Sequence, residues 1–224
     1  MHTPPREIRP ELASAEPADI ATSSDDYATR FAGPVGAWFL EVQARAVTTF
    51  LADTPGATIL DVGGGHGQLA GPLSARDYPV TVIGSAPSCR HRIASLVDAG
   101  RCTFQVGPLL ELPFPDRHFA TALSFRLLTH TPDWPRLVGE LCRVAAHSVI
   151  VDYPTGEGLN RLAPLLFDAK KKLETNTRTW MLFTHADIRR EFARHGFFPR
   201  RDCKQFFLPM VLHRALKCRT VSVA

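Results

Sequence analysis

Residues Thr58-Ile-Leu-Asp-Val-Gly-Gly-Gly-His-Gly-Gln-Leu-Ala70 constrain this chain more than any other stretch: an apolar run, an acid, then glycine at four of five positions. Ile59, Leu60 and Val62 have the composition of a strand buried in a parallel sheet. Gly63, Gly64, Gly65 and Gly67 permit torsions, and a close backbone approach, that side chains would block. A helix is expected to start near Gln68, with its free N–H groups turned toward whatever lies over the bend. Such a strand–glycine–helix corner is a place to lay a nucleotide-like ligand.

The spacing narrows the ligand. The glycines fall as G-x-G-x-G, whereas a dinucleotide fingerprint needs glycine at position 68, which is Gln68. No Gly-Lys-Ser/Thr follows, so a P-loop is excluded. The pattern resembles motif I of the class I S-adenosylmethionine (SAM) methyltransferases. The likeness continues through Leu112-Pro-Phe-Pro-Asp116, Phe119 to His130 and Glu140-Leu-Cys-Arg-Val144. Tyr27-x-x-Arg30-Phe31 is similar to the segment that precedes the first strand in the small-molecule branch related to quinone-biosynthesis methyltransferases. The resemblance spans residues 25–152. It implies an α/β, Rossmann-like fold: a mostly parallel seven-stranded sheet flanked by helices, with an antiparallel C-terminal strand pair.

It also implies a cofactor, SAM, and a set of contacts. The backbone of Gly63, Gly64, Gly65 and Gly67 would lie against the methionine and ribose part, with Asp61 orienting the loop or the cofactor amino group. Gly84, Ser85 and Ala86 would meet the ribose, and Gly107, Pro108 and Leu109 the adenine. Ser124, Phe125 and Arg126 would sit beneath the transferring methyl group. Tyr27 and Arg30 would close over the site, Arg30 by pairing a carboxylate. His130 is a candidate general base, and an anchor of its loop as readily. Tyr153 follows the fifth strand at the edge where ligands sit in open α/β sheets, and would line the acceptor pocket or pack beside Pro154. His66 is expected to shape the glycine loop.

Two departures from the family pattern matter. The second strand normally ends in Asp or Glu, which accepts the ribose hydroxyls; here it reads Val82-Ile-Gly-Ser-Ala-Pro87. The acid usual after the third-strand glycine is Pro108. Loss of one charged acceptor costs roughly 1.5–3 kcal/mol unless something replaces it. Two readings follow: a methyltransferase with altered cofactor recognition, or a methyltransferase-like scaffold acting as a binding protein. Four retained glycines favour the first.

Methyl transfer from a sulfonium asks the protein chiefly to position two reactants and exclude water. The expected activity is therefore metal-independent transfer to a small-molecule acceptor, to oxygen first, with nitrogen or carbon open. No His/Asp/Glu cluster has ligand spacing, and five scattered cysteines without a C-x-x-C pair read as buried reduced thiols of a cytoplasmic protein. No stretch suits a bilayer and no signal-peptide apolar region is expected. Residues 161–224 carry 14 Lys/Arg against 5 Asp/Glu. That charge would suit an anionic acceptor, or simply solvated helix faces. Nothing resembles a nucleic-acid module.

Along the chain, residues 1–24 read as a flexible tail or loosely docked arm, and 25–224 as one domain with a substrate cover at 155–183. Helices are expected at 34–51 (burying Phe39, Val42, Ala46 and Phe50), from about 67 to 76, at 88–99 with Ser88 as cap, and at 133–145. Thr184 and Asp187 should open another, ended by Gly196. Strands are expected at 57–62, 80–83, 102–106, 119–124 and 148–152, with terminal strands drawn from 197–224.

Overall fold

The computed structural model describes residues 17–155 and 181–205. Residues 156–180 of the expected substrate cover, and the expected terminal strands beyond residue 205, lie outside the described residues. Among the described residues five parallel strands form the sheet: β1 (Ile59–Val62), β2 (Val80–Gly84), β3 (Thr103–Val106), β4 (Phe119–Ser124) and β5 (Ala145–Val151). Their order is β3-β2-β1-β4-β5. Chain direction reverses its lateral progress between β1 and β4, so the crevice beyond their C-terminal ends is the topological switch point.

The helices are α1 (Ala18–Thr22), α2 (Asp25–Thr29), α3 (Gly33–Leu51), α4 (Ala70–Ser74), α5 (Ala94–Asp98), α6 (Trp134–Val144) and α7 (His185–Arg194). Alternation along β1 assigns its residues to two cores. Leu60 and Val62 pack with Leu137, Val138 and Leu141 of α6. Ile59 packs with Val47 and Leu51 of α3 and with Leu69 and Leu73 around α4. Asp61 shares the Ile59 face by the period of two. Among the described residues no helix is long and apolar enough to cross a membrane.

Several local expectations need correction. The buried stripe of α3 is Val35, Phe39, Gln43, Val47 and Leu51, not the set containing Val42, Ala46 and Phe50. The i, i+4 row is regular, but it carries a polar residue in its middle, and hydropathy alone rotates the face away from Gln43. The helix after the glycines begins at Ala70, not near Gln68, because a 3-10 turn over Gly64–His66 intervenes. Likewise Pro87–Ile93 is a 3-10 turn, and Ser88 does not cap it. Residues 18–22, expected as a flexible tail or loosely docked arm, form the docked helix α1, with Asp19, Ala21 and Thr22 buried. At α7 the cap is as expected: the Asp187 backbone N–H donates to Thr184 Oγ1 at 3.1 Å.

Two of the quoted motifs are one physical unit. The Arg143 guanidinium donates to the carbonyls of Leu112 and Phe114, each at 2.8 Å, and pairs with Asp116 and Glu140. Glu140 in turn accepts the Leu112 N–H at 2.6 Å, and its Arg143 partner holds its carboxyl below the usual range. The 112–116 loop is thereby latched to α6. Arg143→Ala is expected to cost about 2–3 kcal/mol, because two carbonyls and two carboxylates lose one shared donor. A urea midpoint lowered at constant slope would show it; an unchanged midpoint would mean that solvent holds the loop equally well.

Candidate cofactor cleft at the end of β1

The glycine bend is built as its residue types demand. Gly63 and Gly67 sit at φ 73° and 81°, bracketing the 3-10 turn, and a side chain at either would be strained. Beneath the bend lies Asp61, 1 % exposed. A methyl group on Gly64 would stand 2.2 Å from the Asp61 carboxyl carbon, so this glycine leaves room for the acid. Burial without a cationic partner pushes the Asp61 carboxyl up to about 7.

A small void remains at this point, about 10 Å³, which is room for one water. Asp61, Gly63, Gly64, His66, Gln68, Phe125 and Arg126 are among its lining residues. Around it, Asp61 Oδ1, both amide atoms of Gln68 and Arg126 Nη1 are buried with no hydrogen-bond partner among the described residues. Unpaired buried groups of this kind are costly, and all three residues line the void, where a water or a polar ligand group can supply the missing bonds.

Arg126 is held there by an unusual backbone and by two neighbours. Its φ is +62°, a left-handed conformation that a non-glycine residue adopts only under tertiary constraint. Its N–H donates to Asp152 Oδ1 at 2.5 Å, and its Nη2 to Gln43 Oε1 at 2.8 Å. Gln43 Nε2 donates to the other Asp152 oxygen at 3.1 Å. The guanidinium stacks 3.9 Å from the Phe31 ring centroid. Burial lowers the Arg126 pKa, while it raises that of Asp152.

His66 shapes the loop as expected. Its Nδ1 lies 3.2 Å from the Thr22 carbonyl, which fixes that nitrogen as the donor, and its ring meets Tyr27 and Phe31 edge-on. Burial pulls its pKa down to about 4, so it is neutral at physiological pH. Tyr27 is buried against this group, whereas Arg30 is exposed and stacks on Tyr27 at 4.9 Å. The guanidinium that faces the void is therefore that of Arg126, not Arg30.

The remaining expected contacts divide. Gly84, Ser85 and Ala86 end β2 beside the bend, but the Ser85 N–H and hydroxyl both donate to Asp19, at 2.6 and 2.7 Å. A side chain at Gly84 would strike Cys89 Cβ at 2.6 Å, so no acid fits there. Gly107 donates to the Gly84 carbonyl, Pro108 follows it, and Leu109 packs on the core. Ser124 Oγ is spent on the Val62 carbonyl at 3.2 Å, tying β4 to β1. Phe125 and Arg126 reach the void.

His130 ends the turn Leu128–His130 after β4. Tyr153 is apart from the glycine bend, its hydroxyl 2.8 Å from His185 Nδ1 and its ring edge-on to Phe183. Phe183 is core, 5 % exposed. Cys89, Cys102 and Cys142 are buried free thiols; burial pushes Cys89 up to about 11 and Cys142 to about 12. They are poor nucleophiles. Arg190 and Arg194 pair with Asp187 and Glu191 on α7, a solvated face.

Sequence reasoning missed Asp19, Gln43 and Gln68. Gln43 had a signal, a polar residue at the centre of an apolar i, i+4 row. Asp19 had none, because its role depends on where α1 docks.

Comparison with known proteins places this geometry. Residues 59–148 match a family described as "Methyltransferase domain". Over 96 residues the chain is 36% identical to a probable chloroplastic tocopherol O-methyltransferase of Oryza sativa subsp. japonica; the aligned part is 40% of this chain and 26% of that protein. The chain thus spans about a quarter of the length of that relative. Among solved structures, magnesium protoporphyrin IX methyltransferase of Synechocystis PCC 6803, determined with bound SAH, superposes with a TM-score of 0.64 at 18% identity, covering 80% of this chain and 88% of that one. The [4+2]-cyclase SpnF superposes at 0.51 and 17% identity, over 69% and 55%. These two likenesses show the fold.

Proposed function

We propose, from the match of residues 59–148 to a methyltransferase-domain family, that the chain binds SAM at the β1 bend and methylates a small-molecule acceptor. The observation that carries the reading is the void ringed by unpaired polar atoms. An α-amino acid end carries an ammonium and a carboxylate. Asp61 Oδ1 and Gln68 Oε1 are acceptors for the first, and Arg126 Nη1 and Gln68 Nε2 are donors for the second. The donors and acceptors present therefore fit the methionine end of SAM.

When bound, SAM supplies a methyl group activated on a sulfonium. The chain's own task is then positioning. Gln43 and Asp152 hold Arg126, and Phe31 and Tyr27 shield the guanidinium and His66 from water. At the acceptor edge, Tyr153 and His185 share a hydrogen bond through which a hydroxyl proton can be taken up, and His130 is a second candidate base. We read the transfer as metal-independent and directed to oxygen on a small-molecule acceptor, in the cytoplasm.

Calorimetry with S-adenosylhomocysteine tests the reading first. At about 100 times its dissociation constant it should add about 2.7 kcal/mol to the unfolding free energy. A labelled-methyl acceptor screen with and without chelator follows. A second reading, a methyltransferase-like scaffold that acts as a binding protein, is favoured by the missing β2 acid. Indifference to both SAM and its product, in the parent chain and in every cleft variant, would select it.

A further inference from the structure

The groups at the β2 end of the cleft differ from those at the void in one respect: they already have partners, and the partners come from α1. Asp19 is fully buried. Its carboxylate accepts the Ser85 N–H at 2.6 Å, the Ser85 hydroxyl at 2.7 Å and the Cys89 thiol at 3.2 Å. Its Cβ would be 3.5 Å from a methyl group on Gly63, and Ser23 Oγ 2.3 Å from one on Gly65. At these two glycines α1 and the residue after it share the space with the Leu127 side chain and the Cys89 carbonyl. Ligand pockets measure roughly 300–1,000 Å³; the void left here is about 10 Å³.

We propose that α1 is an intramolecular stand-in for the nucleoside half of the ligand, and that adenosyl compounds bind only when residues 17–24 leave the cleft. The inference rests on the reading of the site given above and adds its regulation. Three features make the arm displaceable. Five residues are too few for a helix to persist alone, and α1 has no side-chain cap. Apart from Asp19, what it buries is small: Ala21, Thr22 and Ser23. Besides the Asp19 carboxylate, one hydrogen bond ties the arm to the bend, the Thr22 carbonyl accepting from His66 Nδ1 at 3.2 Å; the aromatic and ionic anchors lie beyond Ser24, which caps α2: Tyr27 and Phe31 in their cluster, and Asp25 in ion pairs with Arg92 and His91. The hinge is therefore at Ser23–Ser24. Asp19 offers acceptor oxygens to the donors at the end of β2, as a ribose diol or purine edge would, so exchange of arm for ligand leaves those donors satisfied.

The arm lowers apparent affinity by the fraction of molecules in which it is out of the cleft. Loss of its carboxylate in the full-length chain, by Asp19→Asn or Asp19→Ala, is expected to tighten S-adenosylhomocysteine binding about tenfold or more in calorimetry. Hydrogen exchange on the parent chain supplies a readout independent of any variant. Amides of residues 18–24 should lose protection when the ligand is added, while those of β1 gain it. Unchanged or weaker binding by both variants, or added protection of 18–24 with ligand, would overturn the plug and place Asp19 among the groups that hold the ligand, leaving the functional reading intact. If neither parent nor variants bind, the functional reading fails and the plug with it. Binding by the variants alone supports both.

Discussion

Asp61→Asn is expected to be more stable than the parent at pH 8 and to bind S-adenosylhomocysteine more weakly, a combination that a purely structural residue would not give. Burial holds the folded-state pKa at about 7, against an ordinary value of 3.8. Between those values the folded chain holds a proton that the unfolded chain has released, so stability falls as pH rises through the window and stays low above it. The interval corresponds to about 4 kcal/mol, which the amide recovers at pH 8 and which vanishes below about pH 4. His66 works in the opposite sense. Its folded pKa, about 4, lies below 6.5, so its contribution is present above 6.5 and is lost as pH falls toward 4. In the parent the two slopes largely cancel between pH 4 and 6.5. In Asp61→Asn the opposing Asp61 slope is gone, and stability should climb with pH across that range relative to the parent. Urea titrations at pH 4, 6 and 8 read all of this. Equal stability of parent and variant at pH 8 would mean that Asp61 already has a cation beside it, and the amino-group assignment would fall. The binding loss is expected at about 10- to 100-fold, the value of one charge-assisted bond.

Gly65→Arg should abolish binding and also weaken the fold. A methyl group alone at this position lies 2.3 Å from the Cys89 carbonyl oxygen, and that oxygen is backbone, which cannot rotate away. Overpacking of this kind costs typically 1–3 kcal/mol, and the guanidinium that follows has to cross the cleft. The expected result is no heat with S-adenosylhomocysteine and a melting point lowered by several degrees. Gly71→Ala is the control. It lies in α4, where an added methyl meets Leu96 at 3.8 Å, an ordinary contact, so binding and stability should hold or improve. Normal binding by Gly65→Arg would show that the ligand site lies elsewhere.

The parallel sheet was legible because its strands are local: β4 occupies the expected 119–124 span, and β2 and β3 differ from expectation by one or two residues. The glycine bend was legible because it is a backbone requirement, written in consecutive residues. The buried face of α3 was misread because its Gln43 is inside for a reason that lies 109 residues away, at Asp152. The helix starts after β1 and β2 were placed too early, since nothing local distinguishes a 3-10 turn from the first turn of an α-helix.

The sequence by itself determined that a strand ends at Val62 in a side-chain-free bend over an acid, and that strands and helices alternate around it, because torsional freedom and hydrophobic period are properties of neighbouring residues. Only the tertiary structure decided what lies over that bend. Asp19 meets Ser85, and Gln43 meets Arg126 and Asp152, across dozens of residues. Such pairings arise when packed elements bring buried polar groups within reach of one another, and a buried group must take whichever partner the fold delivers.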